Sequence, residues 1–257
     1  MRHALKGVFA ACGLMMACCT QASVSFTWTG NTNNSISGQL LSATASFDIV
    51  GGGTELQITL TNGGQQTLDP SDVLTAVFFN AHGVGTLTPV SAVLGSGSVE
   101  ANAAIPSGET LGDEWAYQSG LSHGSGPATL GIGASGIGGT FTSAGNFGSN
   151  PQNLDGVGYG VINITSTNGN DHLPSTCFEL NTVVFTLSGL PSGFNLTNIT
   201  DVGFRYGTTT SEPFIIGTPV PEPSALALTV VGLGAFLRQR RRQKNFKTQS
   251  SSSKLQS

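Results

Sequence analysis

The 257-residue chain has very little positive charge in its central part, and only 9% of its residues carry any charge. Between Lys6 and Arg238 the one basic residue is Arg205, whereas residues 23–220 contain thirteen Asp and Glu residues. Affinity for nucleic acid rests mainly on Lys and Arg side chains that neutralise phosphates. The composition therefore excludes nucleic acid as a partner of this segment.

Long hydrophobic runs are also missing. Residues 1–22 have a basic start, an apolar stretch over residues 7–19, and small residues before a plausible cleavage point after Ala22. This order is typical of a secretory signal peptide, and the apolar stretch is too short to predict a membrane span. Two alternatives are a buried N-terminal helix and a lipoprotein lipidated at Cys18 or Cys19.

Cysteine is scarce, with four residues in the chain. Cys12, Cys18 and Cys19 lie in the predicted signal peptide, so its removal leaves Cys177 alone. No disulfide can then form within the mature chain. We interpret Cys177 as a small buried residue rather than a nucleophile.

Familiar catalytic and metal-binding motifs are absent. His82, His123 and His172 are scattered without metal-ligand spacing, and no serine lies in a G-x-S-x-G elbow. The stretch "GIGASG" at residues 131–136 lacks the lysine and the strand-to-helix context of a phosphate-binding loop. We therefore expect no cofactor and no catalytic residues.

Short stretches with alternating apolar residues are abundant. "SVSFTWTG" (23–30) alternates, and "TASFDIVGGGTELQITLTN" (44–62) reads as a hairpin that turns at three glycines. "DPSDVLTAVFFNAHG" (69–83) contains a denser apolar run, which predicts a central strand covered on both faces. Further candidate strands are 86–95, 98–105, 158–165, 182–189 and 199–208. We predict an all-β fold, one antiparallel β-sandwich over residues 23–217.

Residues 119–156 interrupt this pattern. The segment is rich in glycine and has little periodicity, so it is predicted to be a long excursion loop. Loops of this length are usually functional or mobile, and the alternative is a flexible insertion without a role.

The stretch "GDEWAYQSG" (112–120) carries the strongest candidates for a ligand site. Trp115 and Tyr117 could stack on a glycan, and Asp113 with Glu114 could supply the two carboxyls of a glycosidase. Against both ideas, neighbouring residues of a strand point to opposite faces, and an aromatic pair at i and i+2 is ordinary sandwich core.

Two further stretches, residues 69–72 and 166–172, cluster the oxygen ligands that calcium prefers. Neither has EF-hand spacing, and turns rich in Asp and Asn explain both without a metal.

The C-terminal part, residues 218–243, combines three features in a fixed order. Prolines around Glu222 come first, the apolar run Ala225–Leu237 follows, and a cluster of arginines ends it. Thirteen residues make about 20 Å of helix, short of the roughly 30 Å of bilayer hydrocarbon. The arginines Arg238, Arg240, Arg241 and Arg242 are typical of a stop on the cytoplasmic side of a membrane.

This order closely resembles the PEP-CTERM sorting signal of exosortase-dependent bacterial surface proteins, with Pro221, Glu222 and Pro223 as its Pro-Glu-Pro. The body is similar to a group of these proteins in its strands "DVLTAVFFN", "VVFTLSGLP" and "FRYGT". The resemblance implies a Gram-negative protein, held briefly in the inner membrane, cut near the motif by an exosortase and released to the cell surface or extracellular matrix. Such signals usually stop after the basic cluster, whereas residues 244–257 continue here as an expected disordered tail.

Three functions follow as hypotheses. The first is an exported, non-enzymatic surface or matrix protein whose partners are the secretion machinery, the exosortase and, briefly, the inner membrane. The second is a carbohydrate-binding module in an exopolysaccharide matrix, with Trp115 and Tyr117 as contacts. The third is a secreted glycosidase that uses Asp113 and Glu114.

Overall fold

The computed structural model describes residues 25–122, 126–166 and 176–220. Within these ranges the chain forms fourteen β-strands, and its helical segments are 3₁₀ turns of three residues each. The strands are β1 Phe26–Asn33, β2 Leu40–Val50, β3 Glu55–Asn62, β4 Leu74–Ala81, β5 Thr88–Leu94, β6 Val99–Ala101, β7 Ala116–Ser119, β8 Leu130–Gly133, β9 Val161–Ile162, β10 Phe178–Leu180, β11 Thr182–Ser188, β12 Ile199–Tyr206, β13 Phe214–Ile216 and β14 Thr218–Pro219. The predicted signal helix (1–22) and hydrophobic helix (225–237) lie outside the described residues.

The strands form two sheets. The first contains six antiparallel strands in the order β14-β1-β2-β3-β11-β5. In the second, of eight strands, β13, β12 and β4 lie side by side, and beyond β4 the sheet divides into a branch of β8 and β7 and a branch of β9, β10 and β6. β9 and β10 pair in parallel, with Val161 opposite Glu179. The predicted antiparallel arrangement is therefore wrong for this pair. Parallel pairing requires a connection that returns the chain to the same end of the sheet, and the chain between β9 and β10 is long enough to do so.

The inner faces of the two sheets pack against each other. Phe47 on β2 and Phe79 on β4 are fully buried, and their ring centroids lie 5.5 Å apart in an edge-to-face arrangement. Along β2 and β3, buried residues alternate with partly exposed ones, as the period of a strand requires. The predicted all-β architecture with two packed sheets is therefore confirmed.

The hairpin predicted at residues 44–62 is also confirmed. β2 and β3 pair along their whole length, with Phe47 opposite Ile58, and the turn between them is the 3₁₀ segment Gly51–Gly53. All three turn residues have positive φ, between +57° and +102°. Glycine adopts these angles without the steric cost that a Cβ atom brings, so the sequence of the turn sets its shape.

The dense apolar run after residue 72 forms the central strand β4. It lies between β12 on one side and β8 and β9 on the other. Val77 and Phe79 point into the core between the sheets, while Ala76 and Phe78 belong to a second apolar cluster on the outer side. The prediction of a strand covered on both faces is confirmed.

The glycine-rich segment 119–156 differs from the predicted excursion loop. Its residues Leu130–Gly133 form β8, and the chain then folds back over the outer face of the eight-stranded sheet. A Cβ atom on Gly133 would come within 2.6 Å of the Phe141 ring. Gly133 is therefore needed for close packing against Phe141. The prediction treated the glycines of this segment as loop-forming and did not anticipate this role.

Candidate functional site

The edge of the six-stranded sheet formed by β1 and β14 is where the described chain both begins and ends. We call these two strands the terminal edge. Trp28 on β1 lies opposite Pro219 on β14, and the Val220 N–H donates a hydrogen bond to the Thr27 carbonyl at 2.8 Å. Strand pairing thus continues past the predicted domain boundary at residue 217.

The chain reaches this edge by crossing from one sheet to the other. β13 pairs with β12 in the eight-stranded sheet, and β14 pairs with β1 in the six-stranded sheet. Gly217 lies between them, and its N–H donates to the Val202 carbonyl at 2.8 Å. The crossing ties the two sheets together, and β14 then runs antiparallel to β1, toward the end at which β1 begins.

The predicted sorting residues follow directly. Pro221, Glu222 and Pro223, and the arginines Arg238, Arg240, Arg241 and Arg242, lie outside the described residues, as does the predicted signal peptide. The described chain begins at residue 25, next to β1, and ends at residue 220, beside Thr27. Both terminal segments therefore leave the fold from neighbouring strands at one end of one edge.

Trp115 and Tyr117, the predicted glycan contacts, are core residues. Trp115 is fully buried, its ring centroid lies 4.8 Å from that of Phe185, and its Nε1 donates to the Tyr159 carbonyl at 3.0 Å. Tyr117 is 5% exposed. Neither side chain offers a ring face to a sugar, so the predicted glycan contacts are wrong: the i, i+2 spacing reflects packing between the sheets.

Asp113 is held as a capping group. Its carboxylate accepts hydrogen bonds from the backbone N–H and hydroxyl of Thr110, at 2.7 and 2.8 Å, and from the Asn150 N–H at 2.7 Å. Burial by itself would raise the pKa of Asp113, but these hydrogen bonds lower it below its ordinary value. The Asp113 carboxylate therefore stabilises the local backbone through these hydrogen bonds.

Glu114 has a different environment. Burial, followed by the negative charge of Glu109, raises the pKa of Glu114 to about 7 although its carboxyl shares a hydrogen bond with the Tyr159 hydroxyl. A cleft of about 300 Å³ lined by Pro70, residues 155–158, Thr176 and Thr208 includes neither carboxyl. The two candidate glycosidase residues do not face each other across this cleft.

Glu179 is a buried carboxyl that sequence reasoning missed. It is fully buried on β10, and the Cys177 thiol lies 4.0 Å from its Oε1. Burial and the charge of Glu100, directly opposite on β6, raise the pKa of Glu179 to about 8. Burial and the neighbouring Glu179 raise the pKa of the Cys177 thiol to about 12, which fits the prediction of a buried residue without nucleophilic character.

Of the two stretches proposed for calcium, residues 69–72 lie entirely within the described ranges. Asp69 and Asp72 form a capping box around the 3₁₀ turn Pro70–Asp72. Asp72 also accepts hydrogen bonds from Asn34 Nδ2 at 2.7 Å and from the Ser37 hydroxyl at 2.5 Å. These contacts support the turn interpretation. Most of the stretch 166–172 lies outside the described residues.

Metal-ligating side chains are dispersed in the described ranges, where no group of three or more His, Cys, Asp or Glu residues could hold a metal ion. His82 is exposed and bonds to the Thr200 hydroxyl through Nε2 at 2.9 Å, whereas His123 and His172 lie outside those ranges. In the parts of the chain that the structure describes, no helix has the length and apolar character needed to cross a membrane.

The outer face of the six-stranded sheet carries a regular set of hydroxyl groups. The inner residues of its central strands are buried and apolar, so the alternate positions point outward. We call eight of these outward residues the hydroxyl face: Thr27, Thr29, Ser42, Thr44, Ser46, Thr59, Thr61 and Thr182. Asp48, Gln57 and Val184 lie on the same side of the sheet. Sequence analysis missed this face, although alternating Thr and Ser residues in four strands were its visible signal.

Comparison of the chain with protein-family models, with curated proteins and with solved structures finds no match.

Proposed function

We propose that this chain is an exported, non-enzymatic protein of the cell surface or extracellular matrix of a Gram-negative bacterium. Its N-terminal 22 residues act as a signal peptide, and residues 225–237 form a short hydrophobic helix stopped by the arginine cluster. An exosortase cuts near Pro221, Glu222 and Pro223, after a brief stay of the chain in the inner membrane.

The observation that supports this proposal best is the position of the terminal edge. Strand pairing ends at Pro219, and the last described backbone hydrogen bond of the chain is donated by Val220. The sorting motif begins with the next residue, so a cut there releases the β-body with all its strands intact.

The environments of Asp113, a candidate glycosidase carboxyl, and of the two predicted glycan contacts give further support. Asp113 is committed to three hydrogen bonds, and Trp115 and Tyr117 are buried. Each of these groups has a role in holding the fold, which favours a non-enzymatic body over a glycosidase.

The proposal is tested by expressing the full chain in an exporting host with and without its exosortase. We expect a mature product that lacks residues 238–257 only when the protease is present, as read by intact mass. Replacing Pro221, Glu222 and Pro223 together by alanine should abolish the cut. Gln243→Ala, in the same tail but outside the motif, is the matched control and should be processed normally. Retention of residues 238–257 in both hosts would overturn the proposal.

A further inference from the structure

A row of four threonines crosses the middle of the six-stranded sheet. Thr29 lies opposite Thr44, Thr44 opposite Thr61, and Thr61 opposite Thr182, so four neighbouring strands contribute one threonine each. The hydroxyls of Thr61 and Thr182 are 3.0 Å apart. Since neighbouring strands are about 4.8 Å apart, the row presents hydroxyl groups at a regular interval across the sheet.

A second row runs beside the first. Thr27 lies opposite Ser46, and Ser46 opposite Thr59, with the Thr27 and Ser46 hydroxyls 2.6 Å apart. A hydroxyl donates one hydrogen bond and accepts others. The Thr29 hydroxyl donates to the Ala43 carbonyl at 3.2 Å, and one hydroxyl of each bonded pair donates to its neighbour. The rows therefore offer acceptors at every position and donors at the remaining hydroxyls. The side chains of both rows keep partial exposure, apart from Thr182, which is 8% exposed.

The outer face of the eight-stranded sheet is covered by another part of the chain. There Phe78 is covered by Phe141, and the buried residues Ala128 and Ile137 complete an apolar layer supplied by the glycine-rich segment. The chain thus covers the outer face that is apolar and leaves accessible the one that carries hydroxyls.

Charge restricts what could lie on this face. The one basic residue of the body, Arg205, is 5% exposed, stacks over the Phe214 ring at 4.7 Å, and donates to the Glu212 carbonyl at 2.9 Å. The body therefore has no accessible Lys or Arg to neutralise phosphates or uronic acids, and its carboxylates repel them. A neutral partner rich in hydroxyl groups is the one that complements this surface.

We propose that the hydroxyl face binds a neutral polysaccharide chain, which lies across the strands along the threonine row. Threonine hydroxyls exchange hydrogen bonds with successive sugar hydroxyls, in place of the ring stacking that the buried Trp115 and Tyr117 cannot provide. This binding stands on the sheet alone and does not require the sorting tail to be cut.

Affinity electrophoresis and co-sedimentation test the proposal with the full-length chain, exported and purified in mild detergent. Dextran and microcrystalline cellulose are the neutral probes, and alginate is the acidic one. We expect binding to a neutral probe that persists at high salt, whereas binding of alginate to the basic residues 238–254 should be lost there. The double variant Thr44→Val and Thr61→Val keeps side-chain shape and strand preference but removes two hydroxyls, so it should bind about tenfold more weakly.

Two variants separate this effect from damage to the fold. Thr44→Ser with Thr61→Ser retains the hydroxyls and should keep most of the affinity. Thr86→Val with Thr142→Val makes the same chemical change at exposed positions outside the hydroxyl face and should bind as the unmodified chain does. The proposal is overturned if neither neutral probe binds, or if the Thr44→Val, Thr61→Val variant binds as tightly as the unmodified chain. Processing at the sorting motif is read separately by intact mass, so either proposal can fail without the other.

Discussion

The Phe141 ring stacks on the Phe78 ring, with centroids 5.6 Å apart and an angle of 28° between their planes. Phe78 belongs to the central strand β4, and Phe141 belongs to the glycine-rich segment. The contact therefore fastens that segment to the outer face of the eight-stranded sheet. Gly131 and Gly133 make it possible, because a Cβ atom on either would come within 3.0 Å of the Phe141 ring or closer.

Phe141→Ala should lower the free energy of unfolding by about 3–5 kcal/mol, because it removes a ring that is 3% exposed and opens a cavity above Phe78. Urea denaturation followed by fluorescence gives the value. Ile36→Ala, at a side chain that is 60% exposed, is the control and should change stability by less than about 0.5 kcal/mol. Equal effects of the two variants would show that the segment is not packed as described.

Trp115→Ala should also cost about 3–5 kcal/mol, since the indole is fully buried against Phe185. Trp115→Phe retains most of the apolar volume and loses the hydrogen bond to the Tyr159 carbonyl, so its cost should be smaller. Thermal unfolding of the three proteins measures the order. A Trp115→Ala protein of unchanged stability but reduced glycan binding would contradict the buried position.

Stability should fall as the pH rises from about 4.5 to about 8, because Glu179 retains its proton in the folded state over this range and loses it in the unfolded chain. Its contribution to folding is thus fully present below its ordinary pKa of 4.5 and is lost as the pH passes its folded pKa. For one such group the slope is about 1.4 kcal/mol per pH unit. Denaturation at a series of pH values gives the slope.

Glu179→Gln should flatten this dependence. The stability of the variant relative to that of the unmodified chain should therefore be higher at pH 8 than at pH 4. Glu100→Gln removes the charge opposite Glu179, so it should lower the folded-state pKa of Glu179. The fall in stability should then end at a lower pH and be smaller in total. A slope unaffected by Glu179→Gln would mean that this carboxyl is hydrated.

Asp72→Ala should lower the free energy of unfolding by about 2–3 kcal/mol, because its carboxylate caps the turn and accepts hydrogen bonds from Asn34 and Ser37. Asp155→Ala, at an exposed position, is the control. Added calcium should leave the melting temperature of the unmodified protein unchanged. Calcium-dependent stabilisation that disappears in Asp72→Ala would instead show that this cluster holds the ion.

Local patterns predicted much of the sheet structure, as the β2–β3 hairpin illustrates. Its alternating residues and its three glycines are read within a few neighbouring positions, and short-range sterics decide both features. The pairing of β3 with β11 is different. Thr61 and Thr182 are 121 positions apart, so no local pattern shows that their hydroxyls meet.

Candidate ligand residues were harder to predict. An aromatic pair such as Trp115 and Tyr117 has the same spacing in a binding cleft and in a packed core, and only the sheet that lies above it decides between them. Glu179 is the converse case. Nothing in its local sequence distinguishes it from an exposed glutamate, yet its position inside β10 buries it completely.

By itself, the sequence determined the β-rich character of the body, its scarcity of basic residues, and the order of an apolar N-terminal run, a Pro-Glu-Pro stretch, a second apolar run and a cluster of arginines. These depend on composition and on neighbouring residues along the chain. Tertiary structure alone decided which aromatic rings are buried, which carboxyls keep their protons, and which sheet face stays open. Those properties depend on contacts between residues far apart in the chain, which also bring residue 220 beside Thr27.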